Sequence, residues 1–188
     1  MKVNYIIWHT AAYGNPATKE VYDTTAADID QWHKARGWDG IGYHYVVRLD
    51  GTIEEGRPLT KPGAHARGLN RNSIGICFSG HGDLQPLTYA QLMAGLDLTE
   101  DLMKSERVPW MNVIGHRELR ILIKEGALSP RFHTSKSCPG HLVDMDKVRG
   151  YLLRKERPLP KSTTQQLPNS TTHPDPCAGC KCAACPVK

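Results

Sequence analysis

The sequence predicts a single α/β domain, in which helices flank a central mixed β-sheet, followed by a disordered C-terminal tail. Three observations predict this class. Short apolar segments with strand character alternate with segments of helical periodicity. Two threonines have the spacing of helix-capping boxes, and one Asp-Gly pair marks a tight hairpin. The chain has 188 residues, the length of one domain, and we assign residues 1–157 to the domain and residues 158–188 to the tail.

The first predicted elements are a strand and a helix. The segment KVNYIIWHT is rich in β-branched and aromatic residues, which predicts a short buried strand, and a polar loop follows around YGNPAT. Thr25, with an acidic residue three positions later, is the predicted N-cap of a helix that ends at Gly37. Ile29 and Trp32 lie on the apolar face of this helix.

A hairpin and a third strand occupy the middle of the domain. The segment IGYHYVVRLDGTIEEGR contains two strands around Asp50-Gly51, and Asp-Gly is among the strongest short turn signals. After a loop, SIGICFSG predicts an apolar strand. These segments contribute the middle of the predicted sheet.

Two more helices and a fourth strand complete the predicted domain. Thr88 and Gln91 form a capping box that opens a long helix to about Ser105. WMNVIGH predicts a fourth strand, and a connection of 21 residues, 117–137, follows it. Asp144 caps the last helix. Beyond it, Pro, Ser, Thr and Gln dominate and apolar spacing disappears, which predicts the disordered tail.

Charge and composition narrow the classes of function. The net charge is +5, of which residues 151–188 carry +4, so the other 150 residues are nearly neutral. The domain therefore lacks a dense basic stripe, and no nucleic-acid partner is expected. No apolar run approaches the ~20 residues of a membrane helix, so no membrane insertion is expected. The first ten residues lack the apolar core of a signal peptide, which predicts synthesis in the cytoplasm.

The six cysteines are divided between the predicted domain and the predicted tail. Cys77 and Cys138 lie in the domain, and the other four lie in CAGCKCAAC near the end of the chain. Without a secretion signal, a disulfide framework is not expected. The two C-x-x-C pairs of the tail have zinc-knuckle spacing, but a single residue separates them. We therefore favour a reduced tail over a metal-binding one.

Three residues from distant segments have the chemistry of a metal site. His9 ends the first strand and His116 the fourth, and ligands bind at strand ends in open α/β sheets. Each histidine alone is more often a core or rim residue than a ligand. Two imidazoles and the Cys138 thiolate suit Zn²⁺ and leave a fourth position open, as in catalytic zinc sites. Spacing by itself does not decide between a ligand and a buried thiol at Cys138.

Four segments, DQWHKARGWDGIGYHYVVRLDGTIEEGR, GAHARGLNRNSIGIC, GHRE and KSCPG, occur in this order along the chain. Together they resemble the N-acetylmuramoyl-L-alanine amidases, in particular the zinc amidases that phages use as lysozyme-like endolysins. The animal peptidoglycan-recognition proteins are related to these enzymes. The resemblance covers roughly residues 3–152, nearly the whole predicted domain.

This resemblance implies a site and a reaction. The residues that match the family's metal ligands, for one Zn²⁺ per chain, are His9, His116 and Cys138. The residues that match its catalytic positions are Tyr43 and Lys136. The reaction is hydrolysis of the amide between the lactyl group of N-acetylmuramic acid and L-alanine, in which Lys136 stabilises negative charge on the carbonyl oxygen. The connection before Lys136 is longer than in compact phage enzymes, which leaves the position of its ammonium open.

The remaining candidates receive other assignments. His65 lies in a loop that resembles part of the family's substrate groove, so we expect it to contact the substrate. His44 lies on the opposite strand face from Tyr43, which favours structural support. We expect His33 at the surface of the first helix and Cys77 as a core thiol inside an apolar strand.

Three other functions compete with the endolysin interpretation. Relatives that bind peptidoglycan without cutting it commonly lack the ligand cysteine, which this sequence retains. Cytoplasmic amidases that recycle muropeptides favour aspartate at the position of Cys138. A cysteine protease is opposed by Pro139, which removes the backbone N–H after Cys138. We therefore expect a monomeric endolysin, made in the host cytoplasm, that acts on cell-wall peptidoglycan after release.

Overall fold

The central sheet of the computed structural model, which describes residues 2–158, confirms the predicted α/β class. Its five strands have the spatial order β5 (Ile53–Glu55), β4 (Tyr45–Val47), β6 (Ser73–Phe78), β1 (Tyr5–Thr10) and β7 (Val113–Gly115). β5 is antiparallel to β4 across the Asp50-Gly51 turn, and the other neighbouring pairs are parallel. The sheet is therefore mixed, as predicted, while the predicted tail from residue 159 onward lies outside the described residues.

Helices cover both faces of this sheet. They are α1 (Ala26–Ala35), α2 (Tyr89–Glu106), α3 (Leu119–Lys124) and α4 (Met145–Arg154). The predicted caps are confirmed, because the side chains of Thr25, Thr88 and Asp144 each accept hydrogen bonds from backbone N–H groups of the first turn. None of the helices within residues 2–158 is long and apolar enough to cross a membrane.

Three segments differ from the predicted element boundaries. The loop around YGNPAT contains a small antiparallel ribbon, β2 (Gly14–Asn15) and β3 (Glu20–Val21). The fourth strand is shorter than predicted, because a 3₁₀ turn over Trp110–Asn112 precedes β7. The connection 117–137 holds α3 and a further 3₁₀ turn.

The side chains of β1 separate the two faces of the domain. Trp8 packs on the face that α2 and α4 cover, and its indole N–H donates to Thr99 Oγ1 at 3.0 Å. Ile7 packs on the opposite face, where α3 lies. Because side chains alternate along a strand, His9 shares this second face with Ile7. The second face is where the candidate site forms.

The predicted surface position of His33 is wrong. The residue is fully buried, its Nδ1 accepts a hydrogen bond from the backbone N–H of Gly42 at 3.0 Å, and its ring lies 4.5 Å from that of Trp38. The reason is helical geometry: His33 follows Ile29 by four positions, so both residues lie on the helix face that packs against the sheet. This hydrogen bond ties α1 to the segment that carries Tyr43.

Candidate metal centre

Two parallel strands bring His9 and His116 together. β1 and β7 are neighbours in the sheet, with Trp8 opposite Gly115 in the register. The residues that follow this pair are His9 in β1 and His116 directly after β7. Both imidazoles therefore lie at the same edge of the sheet, with their ring centroids 4.9 Å apart. The two rings are buried on the side of the sheet that α1 and α3 cover.

Cys138 joins these histidines from the far end of the long connection. Its Sγ lies 3.6 Å from His9 Nδ1, although 129 positions separate the two residues in the chain. One ligand atom from each of His9, His116 and Cys138 can be chosen so that all three lie within 4.8 Å of one another. The three residues that the sequence predicts as ligands are thus brought together.

The geometry and hydrogen bonding of this cluster fit a zinc ion. Nitrogen and sulfur ligands bound at about 2.0–2.3 Å in tetrahedral geometry lie roughly 3.3–3.6 Å apart, close to the observed distance between His9 and Cys138. His116 Nδ1 is buried and has no hydrogen-bond partner in the described part of the chain. A buried nitrogen without a partner is rare, and a metal bond would satisfy it.

The electrostatics of the cluster keep all three groups neutral. Burial, with a smaller contribution from the charge of Lys136, lowers the pKa of His116 to about 4. Burial also lowers the pKa of His9 well below its ordinary value. Burial raises the pKa of the Cys138 thiol to about 12. Neutral imidazoles are ready to bind a metal, whereas the thiol must release its proton when it binds one.

Arg117 fixes the turn that carries Cys138. Its guanidinium donates to the carbonyl oxygens of Gly140 at 2.5 Å and Val143 at 2.7 Å, and its backbone N–H donates to the carbonyl of Cys138 at 2.6 Å. The sequence motifs predicted no role for Arg117. Its position directly after a candidate ligand, inside GHRE, was the available signal.

Two other segments hold the same turn. Asp83 accepts hydrogen bonds from the hydroxyl of Ser137 and from the backbone N–H of His141, the latter at 2.6 Å. Thr10 Oγ1, one residue after a candidate ligand, donates to the carbonyl of Pro139 at 3.0 Å. The turn is therefore anchored to β1, to the end of β7 and to the loop after β6.

Glu118 fixes the end of β7 in a similar way. Its carboxylate accepts from the backbone N–H of Gly115 at 2.7 Å and from the guanidinium of Arg149 in α4 at 2.9 Å. Both partners of this ion pair are largely buried. The backbone that presents His116 is thereby tied to a helix on the other face of the sheet.

The connection 117–137 returns to the candidate metal site because it folds against the sheet. Leu128 is buried together with Leu69, and Phe132 packs against the same group of side chains. Lys136 follows as a half-buried residue. Its positive charge contributes to lowering the pKa values of His9 and His116, after the larger effect of burial. Cys138 is the second residue after Lys136, so the long connection ends at the cluster.

Tyr43 lies on the other side of His9. Its ring is buried, and the two ring centroids are 5.0 Å apart. Cys77, the register partner of His9 in β6, is fully buried, which confirms it as a core thiol. Burial raises the pKa of Cys77, and a hydrogen bond with the Tyr43 side chain opposes this effect.

Two further histidines lie nearby, with His65 next to His9 and His44 next to His65. His65 is 5% exposed, and its Nδ1 is 3.0 Å from His9 Nε2. Its expected contact with substrate stays a prediction. His44 accepts at Nδ1 from the backbone N–H of Gly75 at 3.0 Å, and its Nε2 lies 3.3 Å from the carbonyl of Lys61. These bonds are those of a structural support.

Comparisons with known proteins relate this chain to phage endolysins and to peptidoglycan-recognition proteins. The endolysin of Escherichia phage T7 is 47% identical over 64 residues, which make up 34% of this chain and 42% of that endolysin. The match thus spans less than half of that relative's length. Peptidoglycan-recognition protein SC2 of Drosophila melanogaster is 34% identical over 119 residues, 62% of this chain and 65% of the relative.

A solved structure and a family profile extend the likeness over most of the domain. N-acetylmuramoyl-L-alanine amidase LysC from Clostridium intestinale URNW superposes with a TM-score of 0.66 at 28% sequence identity, covering 81% of this chain and 87% of that one. The profile of the family described as N-acetylmuramoyl-L-alanine amidase matches residues 1–141. Because this match covers about three quarters of the sequence, the chain belongs to the N-acetylmuramoyl-L-alanine amidase family.

Proposed function

We propose that this protein is a zinc-dependent endolysin, which cleaves the amide between the lactyl group of N-acetylmuramic acid and L-alanine in bacterial peptidoglycan. The observation that carries the proposal is the convergence of His9, His116 and Cys138, whose ligand atoms lie within 4.8 Å of one another. Membership of the amidase family and the similarity to phage endolysins support it. The enzyme would be made in the host cytoplasm and act on the cell wall after release.

The donor set favours one Zn²⁺ per chain. Two imidazoles and one thiolate are ligands that zinc prefers, and three protein ligands leave a fourth position for the reaction. When bound, Zn²⁺ supplies Lewis-acid chemistry, because it polarises a carbonyl group and makes a water molecule more acidic. The anchored turn at Cys138 and the ion pair at Glu118 hold the protein ligands in place.

Tyr43 and Lys136 have separate roles in the proposed reaction. Hydrolysis of an amide places negative charge on the carbonyl oxygen in the transition state, and a positioned cation stabilises that charge. Lys136 is the cation whose field reaches both histidines of the cluster. The ring of Tyr43 is 5.0 Å from the ring of His9. The Tyr43 hydroxyl would therefore hydrogen-bond the attacking water or an oxygen of the tetrahedral intermediate.

A peptidoglycan-binding module without catalysis is the second candidate. It is favoured by the similarity to Drosophila peptidoglycan-recognition protein SC2. A binding surface alone requires no metal ligands, however, and this chain retains three buried ones at the same edge of its sheet. The enzyme is therefore the function that the geometry supports best.

The test uses the full chain and purified peptidoglycan. The enzyme should release new amino termini of L-alanine, lose this activity with a zinc chelator and regain it with added Zn²⁺. Metal analysis should find one zinc per chain. Peptidoglycan binding without release would favour the binding module, and chelator-resistant release by metal-free protein would exclude zinc dependence.

Two cysteine variants provide a matched comparison. Cys138→Ala should lose both zinc and activity, because it removes one of three ligands. Cys77→Ala removes the neighbouring buried thiol, which is not part of the ligand cluster. It should therefore keep about one zinc per chain. An active, metal-free Cys138→Ala protein would contradict the proposal.

A further inference from the structure

A chain of buried hydrogen bonds connects His9 of the candidate metal site to the backbone of Leu69 through His65 and Ser73. His9 has two ring nitrogens: Nδ1 lies 3.6 Å from Cys138 Sγ, and Nε2 lies 3.0 Å from His65 Nδ1. The other nitrogen of His65, Nε2, lies 3.5 Å from the hydroxyl oxygen of Ser73. That hydroxyl is 2.8 Å from the carbonyl of Leu69. The four groups link the candidate ligand to a backbone oxygen.

The backbone oxygen determines the direction of every bond in this chain. A carbonyl only accepts, so the Ser73 hydroxyl donates to Leu69 and its oxygen faces His65 as an acceptor. His65 therefore carries its proton on Nε2, and its Nδ1 accepts from His9 Nε2–H. His9 Nδ1 is left unprotonated on the side of Cys138. This is the tautomer that a metal ligand needs, and the opposite direction would place a proton on the ligating nitrogen.

The fold is built to hold the His65 ring in this position. The ring lies in a slot beside Gly63 and Gly75, where a Cβ would come within 2.7 Å of Nε2 and 2.6 Å of Cγ, respectively. Any side chain at either glycine would displace the ring. The loop is fixed as well, because Asn70 Oδ1 accepts from the backbone N–H groups of His65 and Ala66 at 2.9 and 2.7 Å.

We propose that His65 is a positioning residue for the metal site, which holds His9 in the orientation and tautomer that present Nδ1 to the metal. The inference rests on the proposed function and extends it to a residue outside the ligand set. It differs from the substrate contact that the sequence suggests, because a ring that is 5% exposed and bonded to His9 faces the ligand rather than open solvent.

Two variants whose side chains have the same number of heavy atoms and branch at Cγ test this role. His65→Asn places an amide oxygen about where Nδ1 stands and so keeps an acceptor for His9. His65→Leu places a methyl group there and offers no acceptor. Zinc affinity is measured on the full chain by competition with a chelating dye, and Co²⁺ substitution reports the thiolate-to-metal absorption band.

We expect His65→Leu to weaken zinc binding about 10- to 100-fold, the usual loss when a partner of a ligating histidine is removed. His65→Asn should stay within about 3-fold of the parent and retain the parental Co²⁺ spectrum. Parental zinc affinity in the Leu variant, or equal losses in both variants, would overturn the inference. A residue that contacts substrate would instead raise KM in both variants and leave zinc affinity unchanged, which also overturns it.

Ser73→Ala provides a second route if the Leu variant does not fold. It removes the acceptor for His65 Nε2–H and leaves both imidazole rings in place. It should weaken zinc binding several-fold, and an unchanged zinc affinity would count against the proposed chain of hydrogen bonds from Ser73 through His65 to His9. Failure of the proposed function can be distinguished from failure of this inference. If the parent protein binds no zinc, the proposed function fails before any variant is compared.

Discussion

Neighbours, more than residue type, distinguish the histidines around the candidate site. The rings of His9 and His116 are 4.9 Å apart, those of His9 and His65 are 5.0 Å apart, and those of His44 and His65 are 5.6 Å apart. Within residues 2–158, one buried nitrogen of His116 has no hydrogen-bond partner, whereas both nitrogens of His44 face backbone groups. A nitrogen that is already bonded to the backbone is satisfied, whereas a buried nitrogen without a partner beside other ligand groups is available to bind a metal.

Tyr43→Phe should separate chemistry from folding. The change keeps the buried ring and removes the hydroxyl together with its hydrogen bond to Cys77, so zinc content should stay parental and thermal stability should fall only slightly. We expect kcat to fall about 10²-fold, the scale of one lost transition-state hydrogen bond. Tyr45→Phe is the control, since Tyr45 packs with the core under α2 and α4. A parental kcat in Tyr43→Phe would remove the residue from the mechanism.

Lys136→Ala should lower kcat by a similar factor with little change in KM, because the ammonium acts mainly on charge that develops in the transition state. Zinc affinity should not fall, since the substitution removes a positive charge beside a dication. Steady-state kinetics and dye competition measure the two quantities. Lys124→Ala is the control, an exposed lysine of the same connection.

If Lys136→Ala turns over peptidoglycan at the parental rate, the assignment is wrong and another cation supplies the charge. Arg131 is the next residue to test, because it lies in the same connection.

At the scale of elements, the site depends on a short turn that three parts of the fold hold in place. Thr10 ends β1, Asp83 lies in the loop after β6, and Arg117 follows β7. These parts belong to neighbouring parallel strands, so their ends meet at one edge of the sheet. The turn with Cys138 crosses this edge, which explains how a distant thiol reaches two strand-end histidines.

Arg117→Ala should destabilise this turn. Three carbonyl oxygens, those of Ser137, Gly140 and Val143, lose a charged donor. Because hydrogen bonds to charged groups contribute about 1.5–3 kcal/mol, we expect the free energy of unfolding of the metal-free protein to fall by about 2 kcal/mol. Denaturant unfolding measures this.

The control for this change is Arg120→Ala, an exposed residue of α3 whose side chain bonds only the carbonyl of Arg117 among the described contacts. It should change the free energy of unfolding by less than about 0.5 kcal/mol. Equal effects of the two substitutions would show that Arg117 does not anchor the turn.

At the scale of the whole molecule, residues 2–158 contain a complete sheet with its buried core and the candidate metal site. Arg157 ties the end of this part to α2 through Asp97 at 2.7 Å and Glu100 at 3.0 Å. We propose that the functional domain ends here.

Removal of residues 159–188 should therefore leave amidase activity within about 2-fold of the parent and the midpoint of thermal unfolding nearly unchanged, because no described core contact is lost. Activity on peptidoglycan and thermal unfolding of the shortened chain measure both. A large loss of either would show that the tail belongs to the working structure.

Much of the fold could be predicted from sequence because its signals are local. A capping box brings groups three residues apart into contact, and Asp-Gly sets the turn of a hairpin. Thr25 and Thr88 were therefore sufficient to predict the starts of α1 and α2, and Asp50-Gly51 to predict the hairpin of β4 and β5. The chemistry of the candidate site could also be predicted in part. The donor types of His9, His116 and Cys138 suit zinc, and ordered motifs resemble one enzyme family.

Only the tertiary structure decided how distant segments meet. The 3.6 Å between His9 and Cys138 depends on strand order and on a connection that folds back over the sheet, neither of which a local pattern encodes. The same holds for the burial of His33, the anchoring of the turn by Arg117 and the bond between His65 and His9. The sequence by itself determined which groups are available to bind a metal, and packing between non-local elements decided which of them converge.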